Sequence, residues 1–464
     1  MQNEIERRSA ALKKELGTRD LVFTQILYIV GLNWVGTAAK IGASHMTFWI
    51  LGLTLFYLPS CVVVIHLNRQ MPLEGGVYQW AKLRFNEMTG FLVAWNLWLY
   101  AILILSTIGV RATDMLAYGL GSSGAWIAND KWIIALTSTL ATAGLMVVAS
   151  IGLTLGKWIH NFGGFCLIGL LAAMLFFAVP HWVRGDVQAA PMALTFPAIS
   201  LFSLNILGKM GFGALGGFDG VAIFAGECRD PVRSAWRSVW VVAPIIGAIF
   251  VLGTACVLVF SRPNDIDLVS PITQVLSLGA SSMGSAAIVV RMAVALILST
   301  FIAQMSLLFS GAIRLPMVAG WDHLLPDWFS RLHPRHRTPT GSVLFIGGLT
   351  LAFALATTFD SGNQEAFQLL ENAGGISFAI AYMVMFAIPL LAPAERPSWG
   401  VRVAAASGFL MTLLYSVLSV FPIIEVKSGA LFTAKIVGVI AGANVAGAVF
   451  YSRAELRRDR AAGD

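Results

Sequence analysis

Apolar runs follow one another along almost the whole chain, each long enough to cross a hydrocarbon layer about 30 Å thick. Twelve are read from the sequence: 21–43, 46–67, 88–112, 131–151, 160–180, 199–226, 238–260, 286–310, 341–359, 366–391, 403–424 and 430–450. Mean hydropathy is +0.77, and 57% of residues are hydrophobic against 12% charged. Such a balance lies far outside the soluble range. The expectation is an all-α integral membrane chain with one transmembrane domain over 21–452. A polar segment, 1–20, precedes it and a short tail, 453–464, follows. Neither leaves room for a soluble catalytic domain. The first twenty residues lack an apolar core and a small-residue cleavage site, so no signal peptide is expected.

The net charge of +7 is distributed unevenly. With the N-terminus inside, the inner connections carry Arg69, Lys82, Arg84, Lys157, Arg233, Arg237, Arg314, Arg331, Arg335 and Arg337. Both terminal segments are also basic. The outer loops offer only Arg111, Lys131, Arg184, Arg262 and Lys427. By the positive-inside rule both termini are cytoplasmic, in a multi-pass protein of the cytoplasmic (inner) membrane. The basic balance is therefore a topology signal and implies no nucleic-acid partner. Cys61, Cys166, Cys228 and Cys256 have no C-x-x-C spacing, which argues against a metal site or disulfide framework. No cofactor is implied.

Two of the apolar runs are interrupted. The first reads Gly31-Leu32-Asn33-Trp34-Val35-Gly36-Thr37-Ala38, the second Gly211-Phe212-Gly213-Ala214-Leu215-Gly216-Gly217-Phe218-Asp219-Gly220. Loosened backbone at membrane depth has to line protein or a wet cavity. Interruptions at matching places in two halves are a pointer to a transporter's substrate site. Five crossings separate the starts of runs one and six, so a repeat of runs one to five (about 21–180) by runs six to ten (about 199–391) is inverted. Runs eleven and twelve (about 403–450) remain as an accessory pair.

At the first break, Gly31, Asn33, Gly36 and Thr37 are candidates to cradle a carboxylate with freed amides and the positive end of a half-helix. At the second, carbonyls at Phe212, Gly213, Leu215 and Gly216 suit an ammonium group. Together they would hold the two charged ends shared by all amino acids. The competing reading is that these glycines only permit close helix packing. Trp34, Phe212 and Phe218 are candidate gate aromatics.

An intramembrane carboxylate is costly and functional by default. For Asp219, proton coupling, attraction of a cationic substrate and bracing of the half-helix all stay open, as does a pair with Lys209. Lys40 is expected to face an outer vestibule or its rim. Arg291 and Glu371 are further candidates, with a buried structural pair as the alternative. Ser299 and Thr300 offer hydroxyls to sodium, but such hydroxyls more often bond their own backbone, so sodium is disfavoured. His160 and His323 read as structural. Residues 311–340 suit an interfacial helix. No G-x-S-x-G, H-E-x-x-H or phosphate-binding loop occurs, which argues against an enzyme and against direct ATP coupling.

Pro72-x-x-Gly75-Gly76-x-Tyr78-x-Trp80, then Phe85, Gly90-Phe91, Trp95 and Trp98, resembles the first cytoplasmic loop and third helix of amino acid permeases. These belong to the amino acid–polyamine–organocation (APC) superfamily. Gly217-Phe218-Asp219, then Glu227, Asp230-Pro231 and Arg233, resembles their sixth helix and the loop after it. Arg314, Asp322, Pro326, Phe329 and Thr338-Pro339 resemble their connection between helices eight and nine. The resemblance implies a LeuT-like 5+5 inverted repeat of twelve transmembrane helices, with helices 1 and 6 broken around an amino acid. Departures are Ala38, where a third glycine is usual, Trp236 in place of a common proline, and no lysine inside helix five.

The expected function is secondary active transport of amino acids by alternating access, as an exchanger or a proton symporter. A polyamine or other organic cation is the alternative substrate. A non-transporting membrane sensor or channel is the alternative of another class.

Overall fold

The computed structural model describes residues 16–463, except 32, 74, 221–227, 229–230, 269, 282–285, 322–323, 361–362, 394–395 and 423–427. Leu32, Glu227, Asp230, Asp322 and His323 therefore lie outside the described residues, as do the basic residues before Leu16. The described chain is predominantly helical, with a non-helical connection at 186–200, and among the described residues β-pairing consists of two isolated bridges.

The first interrupted run forms α1 (Thr18–Ile29) and α2 (Trp34–Ala39). Next come α3 (His45–Gly52) and α4 (Leu58–Gln70), joined through a π-helical turn into one rod. Then follow α5 (Val77–Arg84), α6 (Glu87–Leu105), α7 (Ile108–Leu120), α8 (Lys131–Ile151), α9 (Leu153–Arg184) and α10 (Leu201–Gly208). The second half holds α11 (Pro231–Phe260), α12 (Pro271–Ala280), α13 (Ala286–Ala312), α14 (Arg314–Trp321), α15 (Thr340–Asp360), α16 (Asn363–Leu391), α17 (Trp399–Leu418) and α18 (Gly429–Gly463).

Nine helices among the described residues are long and apolar enough to cross a bilayer. Helix is also present among the described residues of the other three apolar runs, and in each case there is a reason for the shortfall. Runs one and six are interrupted, and the apolar stretch of α15, Thr340–Ala356, is just shorter than the rest.

Polar side chains mark where helices begin. Asn86 accepts from the Thr89 amide at 2.8 Å, Asp130 from Trp132 and Ile133, and Ser200 from Ser203. Each satisfies a donor that the first helical turn leaves free. The turn before α5 depends on Gly75 (φ 89°) and Gly76 (φ 44°), conformations costly to residues with a Cβ. A methyl at Gly90 would lie 2.6 Å from Lys82 Cβ, so that glycine lets α5 sit flat on α6. The loop motif of the sequence is thus a packing device.

Around the centre, α9 packs along α13, α11 along α1, and α16 against both α6 and α17. At the edge, Asn96 and Asn444 exchange amide hydrogen bonds at 2.6 and 3.2 Å, tying α18 to α6. Interhelical amides hold helices together where no hydrophobic effect drives their association. Outward faces carry large apolar side chains such as Trp132, Phe165, Phe176 and Trp240, which hydrocarbon would cover.

Three sequence expectations change. Arg291 is exposed on α13, and among the described residues it forms no ion pair with a buried acid. In the 311–340 connection, Arg314, Leu315 and Met317 are buried, so α14 packs under the bundle rather than lying on a surface. Run three extends as helix to Leu120, which moves Arg111 from a loop onto α7.

Candidate functional site

The two interrupted runs meet. A methyl placed on Gly213 would fall 2.8 Å from the Trp34 ring, and one on Gly217 would fall 2.9 Å from the Tyr28 ring. Gly217 adopts φ 126°, a region close to exclusive to glycine. The second break needs glycine there twice over, for its backbone turn and for the approach of the first break.

Between them lies a cavity of about 120 Å³. Of the candidate residues, Gly31, Asn33, Trp34, Phe212, Gly213 and Gly216 are on its wall. Gly36, Thr37, Leu215, Phe218, Lys209 and Asp219 are not.

The reasons are local. Gly36 and Thr37 already belong to α2, and both amides donate to the Asn33 carbonyl at 3.1 and 3.2 Å. Gly36 instead lets Pro271 of α12 approach, at 2.8 Å from where a Cβ would stand. The half-helix after the first break spans six residues, so its dipole is weaker than the sequence reading assumed. At the second break, the Phe212 carbonyl accepts the Gly216 amide at 2.8 Å and is not freed. Phe212 contributes its ring, packed against Phe56, Phe378, Tyr382 and Tyr415. Leu215 packs onto Gly52. Phe218 is fully buried against Tyr57.

Asp219 and Lys209 do not pair. Lys209 Nζ donates to Asn372 Oδ1 at 3.2 Å and lies 6.0 Å from the Tyr415 ring centre. Asp219 Oδ1 accepts from the Tyr382 hydroxyl at 2.5 Å. The same hydroxyl accepts from the amides of Gly217 (2.9 Å) and Asp219 (3.4 Å). Tyr382 therefore supplies the acceptor that the broken helix cannot. Among the described residues, Asp219 Oδ2 has no hydrogen-bond partner.

Two wall groups, Gln304 and Arg111, went unread as site residues in the sequence, whereas Asn33 and Glu371 were candidates there. Gln304 Nε2 donates to the carbonyls of Leu27 (3.2 Å) and Val30 (2.5 Å), the loose C-terminal end of α1. Arg111 Nη2 and Asn33 Nδ2 both donate to Glu371 Oε1, at 3.1 and 3.2 Å. Beyond this cluster a second cavity of about 70 Å³ shares Gly31, Asn33, Arg111 and Gln304 and adds Asp114 and α12 residues. The polar cluster is thus the partition between two chambers. Its one sequence signal was the placing of single charged or amide residues near the ends of otherwise apolar runs.

The remaining candidates bond to other groups of the protein. Ser299 donates to Ala295 O, and Thr300 to Leu296 O and Gly163 O. His160 is buried with Nε2 3.3 Å from Ser306 Oγ. Lys40 reaches the Asn264 carbonyl at 3.5 Å.

Two interrupted helices thus enclose a small polar-ended cavity inside an apolar bundle. Residues 16–442 match the amino acid permease family. The chain belongs to that family. Its APC relatives include an uncharacterized transporter of Legionella pneumophila, 23% identical over 83% of this chain and 82% of the relative. Another is a probable agmatine/putrescine antiporter, AguD, of Lactococcus lactis, 22% identical over 79% and 78%. A third is a branched-chain amino acid permease, BcaP, of Bacillus subtilis, 22% identical over 78% and 80%. The permease is accordingly a multi-pass membrane transporter and not an enzyme.

Proposed function

We propose that this permease is a secondary active transporter that moves amino acids across the cytoplasmic membrane by alternating access. The observation that carries the reading is the meeting of the two interrupted runs around one cavity, with Gly31 and Asn33 on one wall and Gly213 and Gly216 on the other. In this reading the carboxylate end of the substrate lies against the first break and its ammonium end against the second. The names of relatives bring both amino acids and amines within the class of substrates.

The fold proposed is twelve crossings in a LeuT-like inverted repeat, about 21–180 and 199–391, with an accessory pair at about 403–450. One transmembrane domain spans 21–452 and both termini are cytoplasmic, in keeping with the arginine and lysine distribution. In that orientation the smaller chamber with Asp114 faces outward.

Sodium is not required in this reading. The α1 carbonyls of Leu27 and Val30, which a cation there would need, already accept from the Gln304 amide. Exchange or proton symport remains as the energy source. Asp219 braces the second break through Tyr382, and its buried position makes it the carboxylate to test for proton coupling.

A single cysteine at cavity residue Ile104, in a variant whose four native cysteines are replaced by alanine, tests the site. Amino acids from a panel are expected to slow its reaction with a small thiol reagent. Unchanged labelling with every amino acid would contradict the proposal.

A further inference from the structure

Arg111 and Glu371 are the charged residues on the wall of the larger cavity among the described residues. They neutralise each other at 3.1 Å, with side chains 18% and 25% exposed, and Asn33 adds a second donor to the same carboxylate oxygen. Lys209 and Asp219 lie behind the wall and have partners of their own there. What remains facing the space is uncharged: the amide of Gln304, Tyr28, Tyr100 and Tyr415, and the apolar surface of Trp34, Phe212, Phe378, Met305 and Leu308.

A second charge on a substrate would enter a low-dielectric space without a counterion, which is costly. An apolar side chain loses nothing by the same transfer. Were Arg111 absent, Glu371 would be an open carboxylate on the wall, suited to an ammonium group.

We infer that the cavity selects amino acids with uncharged side chains, and that Arg111 enforces this by occupying Glu371. The inference rests on the proposal that the protein carries amino acids. It makes Arg111 a specificity residue that keeps cationic amines out.

Counterflow of labelled leucine into proteoliposomes, challenged with unlabelled valine, methionine, arginine, glutamate, agmatine and putrescine, tests it. For the wild type, valine and methionine are expected to compete at least about tenfold better than the charged compounds, a gap of about 1.4 kcal/mol. In Arg111→Met, agmatine and putrescine are expected to gain about tenfold in competition. The charge-balanced double variant Arg111→Met/Glu371→Gln is expected to take leucine without that gain, and it keeps the test open if the single variant misfolds. Wild-type preference for arginine or a diamine, or a double variant that gains diamine affinity, would overturn the inference while leaving transport itself in place. Absence of counterflow with every compound would instead remove the parent proposal, and this one with it.

Discussion

The Tyr382 hydroxyl donates to Asp219 Oδ1 at 2.5 Å while accepting two amides of the broken helix, those of Gly217 and Asp219. One side chain on α16 thus closes the hydrogen bonding of a helix that has come apart beside it. The arrangement separates two roles that the sequence left merged at Asp219.

Tyr382→Phe removes the acceptor from two buried amides and the donor from a buried carboxylate. Each such orphan costs about 1–3 kcal/mol. Asp219→Asn keeps an oxygen to accept from Tyr382. The tyrosine variant is expected to lose more thermal stability in detergent than the asparagine variant, and a reversed order would contradict the bracing role.

The same asparagine variant addresses coupling. If Asp219 carries the transported proton, Asp219→Asn flattens the pH dependence of uptake while exchange at constant pH persists. An unchanged pH profile and rate would leave Asp219 as a brace only.

At Gly217, alanine would meet both an unfavourable φ of 126° and the Tyr28 ring at 2.9 Å. Backbone strain of this kind costs about 1–3 kcal/mol. Gly217→Ala is expected to cut uptake by at least about tenfold even where expression survives. Wild-type kinetics in that variant would show that the two breaks do not need their close approach.

Gln304 bridges the α1 carbonyls of Leu27 and Val30. Wild-type uptake is expected to be the same in sodium and in choline buffers. Gln304→Glu places anionic oxygens against two carbonyls and is expected to reduce uptake about tenfold, unlike the isosteric wild-type amide. Strong sodium stimulation of the wild type would rule out the amide as the permanent occupant.

Tyr415 reaches the cavity over Gly375, where a methyl would sit 2.0 Å from its hydroxyl. Gly375→Ala therefore pushes the ring into the space for substrate. KM is expected to rise with little change in melting temperature, and an unchanged KM would place the ring away from the substrate.

Much of this architecture is legible in sequence because lipid imposes it. Apolar runs mark the helices, and glycine clusters mark where two of them come apart. The partners were not legible, since each depends on which distant helices touch. Tyr382 and Gln304 are single polar groups inside apolar runs, indistinguishable there from hydroxyls and amides that bond their own backbone. Arg111 read as a loop charge because hydropathy fades before Leu120, although the helix continues where Asp114 faces the second chamber. Lys209 and Asp219 flank one break, and a pair between them was one open reading. The π-helical turn Lys209–Gly213 and the reversal at Gly217 place them in separate surroundings. Gly36 shows the opposite error, a packing glycine mistaken for a cradle.

Counterflow in proteoliposomes is the most direct measurement. Vesicles loaded with an unlabelled amino acid should accumulate the labelled one transiently, without ATP and without sodium, and Gly213→Leu, which fills the space beside Trp34, should abolish the effect. Uptake that requires ATP or sodium, or full counterflow in the filled variant, would contradict a carrier working through the meeting point of the two breaks.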